Sequence, residues 1–148
     1  MWLRLLRGEI MAEYTASAVQ TVTTRNNILY TETPVHGGKC IVHRDGSGIV
    51  TLRGITNQCK ARFRVTFSGN IAAVTAVGPV SVALTINGEP LASSTMTVTP
   101  TAVGAYFNVA GAAFIEVPQG CCLTVAVENV SAQSVTVENA NLIVERVA

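Results

Sequence analysis

The sequence is short of charged and aromatic residues. Among its 148 residues, charged side chains make up 13% and aromatic side chains 5%, while hydrophobic residues make up 49%. About a quarter of the residues are charged in an average soluble domain, so this chain has little charge with which to solvate its surface. We therefore expect copies of the chain, or a partner, to cover part of that surface.

The sequence also lacks a long apolar run. No stretch approaches the roughly 20 residues of a transmembrane helix, so no membrane partner is predicted. In residues 1–10, Arg4 and Arg7 interrupt the apolar side chains and no small-residue cleavage site follows, so we expect no secretory signal. Two interpretations of this segment remain. In the first, it begins a short docking arm or helix, to which we assign residues 1–17. In the second, it is an upstream extension, with Met11 as the native start. The arm would present the side chains of Trp2, Leu3, Leu5 and Leu6.

The spacing of the four cysteines defines no disulfide framework. Cys121 and Cys122 are adjacent, a geometry that rarely allows a bridge between neighbours, so free thiols and a reducing compartment are predicted. His36, Cys40 and His43 form the nearest approach to a metal-ligand cluster. Along a strand, His43 would point away from the other two, and nothing fixes a ligand number. We predict no metal site.

Common catalytic signatures are missing as well. No two of the nine carboxylates lie close enough in sequence to suggest an acid–base pair. No glycine-rich phosphate loop precedes a helix, and no serine occupies a strand–turn–helix elbow. We therefore predict neither enzymatic activity nor a cofactor.

The few charges that exist are unevenly distributed. Residues 1–64 hold nine of the ten Lys and Arg residues, and residues 65–148 hold five of the nine acids. One interpretation is that the two halves interleave in the fold; the other is a basic patch for an anionic partner. Lys60, Arg62 and Arg64 would lie on one face of a strand and form such a basic face. No recognition helix, zinc knuckle or aromatic platform accompanies them, so nucleic acid is not an expected partner.

Alternating apolar residues, punctuated by turns, are what the sequence does contain. We count about ten short strands, which predicts an all-β fold, a two-sheet antiparallel jelly-roll sandwich over residues 18–148. Asn87-Gly88 is the strongest hairpin signal. Residues 111–129 predict a second hairpin, with two strands around a tight turn at residues 118–120. In the last strand the apolar phase changes by one residue, which predicts a β-bulge near Glu138-Asn139.

The C-terminal third, GAAFIEVPQGCCLTVAVENVSAQSVTVENANLIVERVA, resembles a family of trimeric jelly rolls. These are the tumour-necrosis-factor-like or complement-head-like domains of bacterial collagen-like surface proteins and phage virion proteins. Upstream, HRDGSGIVTLRGIT resembles the early strand pair of the same proteins. A Gly-X-Y stalk, present in the spore-surface members, does not occur in this chain.

This resemblance implies a homotrimer packed through one sheet of each protomer. The candidate interface residues are Tyr106, Phe107, Phe114, Leu142 and Val144, any of which could be core instead. We expect a structural virion protein that decorates a capsid or forms a fibre head, with a capsid or other virion protein as partner. The alternative is a receptor- or glycan-binding module of a phage tail or of a bacterial cell or spore surface. Its loop candidates are Asp45, Asn57, Asn70 and Asn87.

Overall fold

The computed structural model describes residues 11–148, and these residues form twelve β-strands and one 3₁₀ helix. None of the helices in that range is long and apolar enough to cross a membrane. The predicted arm side chains Trp2, Leu3, Leu5 and Leu6 lie outside the described residues. The strands are β1 (Met11–Ala16), β2 (Gln20–Val22), β3 (Glu32–Val35), β4 (Ile41–His43), β5 (Val50–Arg53), β6 (Lys60–Ala73), β7 (Val80–Ile86), β8 (Glu89–Pro90), β9 (Met96–Val98), β10 (Phe107–Pro118), β11 (Cys122–Asn129) and β12 (Val135–Arg146), with the 3₁₀ helix at Ala92–Ser94.

The strands form two sheets of six. The first sheet has the order β10-β6-β12-β1-β3, with β2 paired to the beginning of β12. The second sheet has the order β4-β5-β11-β7-β8, with β9 paired to β7. Neighbouring strands are antiparallel throughout. The all-β jelly-roll sandwich predicted from the alternating pattern is confirmed.

The core lies between the two sheets and follows the period of two along each strand. In β6, Ala61, Phe63, Val65 and Phe67 are fully buried, while the residues between them face outward. The second sheet contributes Val50, Leu52, Leu84 and Val127 to the same cluster. Each such aliphatic or aromatic side chain contributes roughly 1.5–3 kcal/mol through its burial, so this layer holds the sheets together.

Two local predictions are confirmed. Asn87 and Gly88 both have positive φ, 51° and 85°, and join β7 to β8 in a two-residue hairpin. In β12 the register shifts between Glu138 and Asn141, and Asn139 has φ 54°, which is the predicted bulge. Because the bulge adds one residue, Val137 before it and Ala140 after it both point into the core.

The two strands that flank residues 118–120 exist as predicted, but the prediction that they pair as a hairpin is wrong. β10 belongs to the first sheet and β11 to the second, so the chain crosses the sandwich at this corner. Both neighbouring segments hold the corner in place: Gln119 N–H donates to the Cys59 carbonyl, and Gly120 N–H donates to the Gly54 carbonyl. Alternation and turn residues look the same for a hairpin and for a corner, because pairing partners are set by distant strands.

Residues 11–16, which the sequence analysis assigned to an arm, are an integral strand of the first sheet. β1 pairs with β12 from Met11–Glu145 to Ala16–Ala140, and with β3 on its other side. Ala12, Tyr14 and Ala16 are buried on its inner face. Residues 11–16 therefore belong to the jelly roll rather than to an arm, because the C-terminal strand pairs with this short alternating segment.

Candidate interaction surface

The outer face of the first sheet is built largely from three long strands, β6, β10 and β12. Strand registers place its outward side chains in rows that run across the sheet. One row consists of Phe114, Arg64, Glu145 and Met11, and the next of Ala112, Thr66, Ile143 and Glu13. A third row, Ala110, Ser68, Asn141 and Thr15, contains no charge. The cationic side chains of this face thus lie at one end, while Glu32 on β3 lies opposite Thr15 at the other end.

The predicted basic face lies at the cationic end, but its charges are paired. Lys60 Nζ lies 3.0 Å and Arg62 Nε 2.9 Å from the two oxygens of Glu116. These two donors hold the pKa of Glu116 below its usual value, with the hydrogen bond from Lys60 as the larger cause. Arg64 lies 3.6 Å from Glu145 on the adjacent strand. A patch in which carboxylates oppose the cations has little net charge to offer an anionic partner.

These pairs also explain the uneven charge along the sequence. Within residues 11–148, every Lys or Arg ion pair joins the basic first half to the acidic second half, including Arg25 with Glu128. The two halves of the chain therefore interleave in the fold, as the first interpretation of the charge distribution proposed. The chain separates in sequence the charges that the sheets bring together.

Two apolar features lie on the outer face of the first sheet. Phe114, on edge strand β10, is 71% exposed. At the opposite side, Met11, Val35 and Ile143 are partly exposed and line a hollow of about 180 Å³, which we call the β1 hollow. Strand spacing is about 4.8 Å, so the four-strand row from Phe114 to Met11 is roughly 14 Å long. Phe114 therefore cannot cover the hollow of its own chain.

The structure divides the predicted interface residues into two groups. Tyr106, Phe107 and Phe114 are exposed, so an interface can use them. Leu142 and Val144 are fully buried between the sheets, so their assignment to an interface is wrong. The bulge at Asn139 is the reason, since it turns this half of β12 so that Leu142 and Val144 face the core and Ile143 faces out. Ile143 was not among the predicted interface residues, although its position between two inward residues identifies it as outward.

His36, Cys40 and His43, the nearest approach to a metal-ligand cluster in the sequence, do not form a group of three ligands in the structure. Cys40 is buried and its sulfur lies 3.7 Å from an Arg146 nitrogen, while the His43 ring packs against Tyr14 at an interplanar angle of 41°. No group of three or more potential metal ligands occurs in residues 11–148. Cys59, Cys121 and Cys122 are exposed, and all four cysteines are free thiols.

Three of the four loop candidates have structural partners. Asn87 Oδ1 accepts the Thr124 N–H at 2.9 Å, and Asn70 Oδ1 accepts the Asn108 amide at 3.1 Å. Asp45 accepts the Thr33 hydroxyl at 2.7 Å. Asn70 lies inside β6 rather than in a loop. These partners account for Asn70 and Asn87 without a ligand.

Comparison with known proteins identifies the architecture. The chain matches no protein-family model, and no curated protein matches it in sequence. Among solved structures, Eiger TNF from S. frugiperda is similar with a TM-score of 0.70 and 12% identity, over 94% of this chain and 92% of that one. The chain has the TNF-like, complement-head-like jelly-roll fold.

Two further structures support this conclusion. The globular domain of zebrafish complement 1qA protein is similar with a TM-score of 0.63 and 8% identity, over 94% of this chain and 96% of that one. Murine APRIL gives a TM-score of 0.57 and 12% identity, over 92% of this chain and 98% of that one. The TNF-like jelly roll thus spans nearly all of the chain. Identities this low establish the fold only, so function has to be inferred from the surface residues of this chain.

Proposed function

We propose that this TNF-like jelly roll is a non-enzymatic structural protein that assembles as a homotrimer through the outer face of its first sheet. The proposal rests on two features of the same face: Phe114 is 71% exposed on one edge, and an apolar hollow lies on the opposite side. Single exposed apolar residues are ordinary, but a protruding aromatic ring and a hollow are complementary shapes. The low overall charge is consistent with a face that is covered in the assembly.

The contact we propose is head-to-tail. Phe114 of one protomer enters the β1 hollow of the next, where Met11, Val35 and Ile143 cover its ring. Contacts between two different patches generate rings when the rotation closes. Closure at three copies is what the resemblance to trimeric jelly rolls implies. The paired row of Arg64 and Glu145 flanks this contact and would set its register.

Native mass from light scattering tests this assembly. The full chain should give three times its 15.5 kDa mass. Phe114→Gln should give a monomer with an unchanged far-UV circular dichroism spectrum, since Phe114 makes no core contact. Glu89→Gln, a matched substitution at an exposed site on the second sheet, should leave the trimer intact. A wild-type monomer or dimer, or a trimeric Phe114→Gln variant, would contradict the proposal.

We further propose that the trimer acts in a virion, as a capsid decoration or fibre-head protein. Support comes from the sequence resemblance to phage virion proteins and from a regular fold without a predicted catalytic signature. Mass spectrometry of purified particles from the encoding genome should find the chain in a fixed copy number. Recovery only from the bacterial cell or spore surface, together with binding on a glycan array, would favour the receptor- or glycan-binding alternative.

A further inference from the structure

Three of the four cysteines lie at one end of the sandwich, around the corner where the chain passes from β10 to β11. Cys59 precedes β6, and its carbonyl accepts the Gln119 N–H of that corner. Cys121 and Cys122 follow the same turn. These three cysteines are exposed, whereas Cys40 is buried. Exposed thiols are open to reagents, and the charges around each thiol decide which reagents approach it.

Cys122 lies on the outer face of the second sheet, beside Arg53. The two residues are register partners in the antiparallel pair of β11 and β5, and the adjacent Leu123 and Leu52 pack into the core. Arg53 N–H donates to the Cys40 carbonyl on the other side of β5. Toward β11 the pair is therefore non-hydrogen-bonded, the arrangement that brings side chains closest, with Cα atoms about 4.5 Å apart. Thiol and guanidinium thus share one exposed face.

Two cations near the Cys122 thiol have no carboxylate partner. Arg53 Nη1 lies 3.4 Å from the Lys39 carbonyl oxygen, and both side chains are exposed. Neither side chain forms an ion pair within residues 11–148. Cys59 differs, because the adjacent Lys60 is paired with Glu116 at 3.0 Å. Cys122 therefore lies beside positive charge that the described chain leaves uncompensated.

This positive charge decides what the Cys122 thiol can join. A disulfide between two copies would bring the Arg53 and Lys39 cations of both chains together, and their repulsion opposes that contact. A bridge to Cys121 is disfavoured by geometry, because Cα atoms joined by a trans peptide are about 3.8 Å apart and disulfides usually need roughly 4.4–6.8 Å. A small disulfide with negative charge meets neither obstacle, and the same cations attract it.

We propose that Cys122 is a modification site for an anionic low-molecular-weight disulfide, such as a peptide disulfide with free carboxylates. The Cys122 thiol gives its proton to solvent, and its sulfur attacks one sulfur of the reagent. The S–S bond of the reagent breaks, a new S–S bond forms to Cys122, and the other half leaves as a thiolate that takes up a proton. One disulfide replaces another, so no further oxidant is needed. Since Cys122 lies on the second sheet, the site stays open in the proposed trimer and does not depend on it.

Peptide mapping by mass spectrometry tests the position of the adduct. The reduced full-length protein is exposed briefly to glutathione disulfide, whose two halves are both anionic. We expect the first adduct at Cys122, while the buried Cys40 stays unmodified. Because Cys121 is adjacent, the Cys121→Ser and Cys122→Ser variants separate the two, and only Cys122→Ser should lose the rapid adduct. A first adduct at Cys59 or Cys121, or a disulfide-linked pair of chains in place of an adduct, would overturn the proposal.

The charge of the reagent completes the test. Dithiodipropionate is anionic and cystamine is a cationic disulfide of similar size, and each is assayed at about 0.1 M and about 1 M salt, where the Debye length is about 10 Å and about 3 Å. At Cys122, lowering the salt should speed the anionic reagent at least about twofold and slow the cationic one.

Two matched arginine variants locate the source of this effect. Arg53→Gln should remove most of the salt dependence at Cys122. Arg44→Gln removes an equally exposed cation without an ion pair in residues 11–148, but at the far end of β4, and should leave the salt dependence in place. Equal effects of the two variants, or rates at Cys122 that ignore the charge of the reagent, would contradict the site.

Discussion

Tyr30 shows how a single residue can occupy the core at a cost. Its side chain is fully buried, and its hydroxyl has no hydrogen-bond partner among the described residues. Burial raises the pKa of Tyr30 far above its ordinary value of 10.0. The neutral ring contributes apolar packing, while the hydroxyl has given up its bonds to water. The sequence shows a tyrosine in a polar segment and predicts none of this.

Replacing Tyr30 by Phe should therefore stabilise the protein. Removing an unpartnered buried hydroxyl should raise the free energy of unfolding by about 1 kcal/mol, as measured by urea denaturation at pH 7. The control is Tyr106→Phe at an exposed site, which should change nothing. A loss of stability in Tyr30→Phe would contradict the prediction and show that the hydroxyl is bonded.

The free energy of unfolding of Tyr30→Phe should also fall less at alkaline pH than that of the wild type. A raised pKa means that the unfolded state loses its proton first, so wild-type stability is complete below about pH 10 and falls as pH rises further. Tyr30→Phe removes this contribution. Part of the decline remains because burial also raises the pKa of Tyr14 to about 12.

At the scale of the element, the bulge in β12 determines which side chains reach the core. Asn139 has a positive φ of 54°, a conformation open to Asn and Gly but strained for β-branched residues. The extra residue lets Val135 and Val137 on one side, and Leu142 and Val144 on the other, all face inward. The phase change in the sequence predicted the bulge. It did not predict which side chains of β12 face the core, because inward and outward are defined only once the opposite sheet is in place.

Substitutions at Asn139 test this conformation. Asn139→Gly should preserve stability, because Gly adopts positive φ freely, while Asn139→Val should lower the free energy of unfolding by about 1–2 kcal/mol. Urea denaturation of both variants measures the difference. Since Asn139 is exposed, lost packing cannot explain a large effect. Equal stabilities of the two variants would argue against the left-handed conformation.

At the scale of the whole molecule, self-association should couple folding to concentration. Anything that binds the folded state alone stabilises it by mass action. If the trimer contributes to stability, the apparent Tm should rise with protein concentration for the wild type and stay constant for Phe114→Gln. Scanning calorimetry over a hundredfold range of concentration measures both. A wild-type Tm that does not depend on concentration would mean that the assembly adds nothing to stability.

The sequence by itself determined the elements of this protein. Alternation gave the buried Phe63 and Phe67 opposite outward Arg62 and Arg64, and Asn87-Gly88 specified its hairpin, because these features depend on neighbours within a few residues. The low charge also pointed to a covered surface.

Only the tertiary structure decided how the elements combine. It sent β10 and β11 to different sheets and brought residues 11–16 against the C-terminal strand. It also offset most of the charge of the basic face with Glu116 and Glu145. It also packed the His43 ring against Tyr14 of β1, with 4.4 Å between the ring centroids. Strand pairing and burial depend on contacts between distant residues, and these form only when the whole sandwich closes.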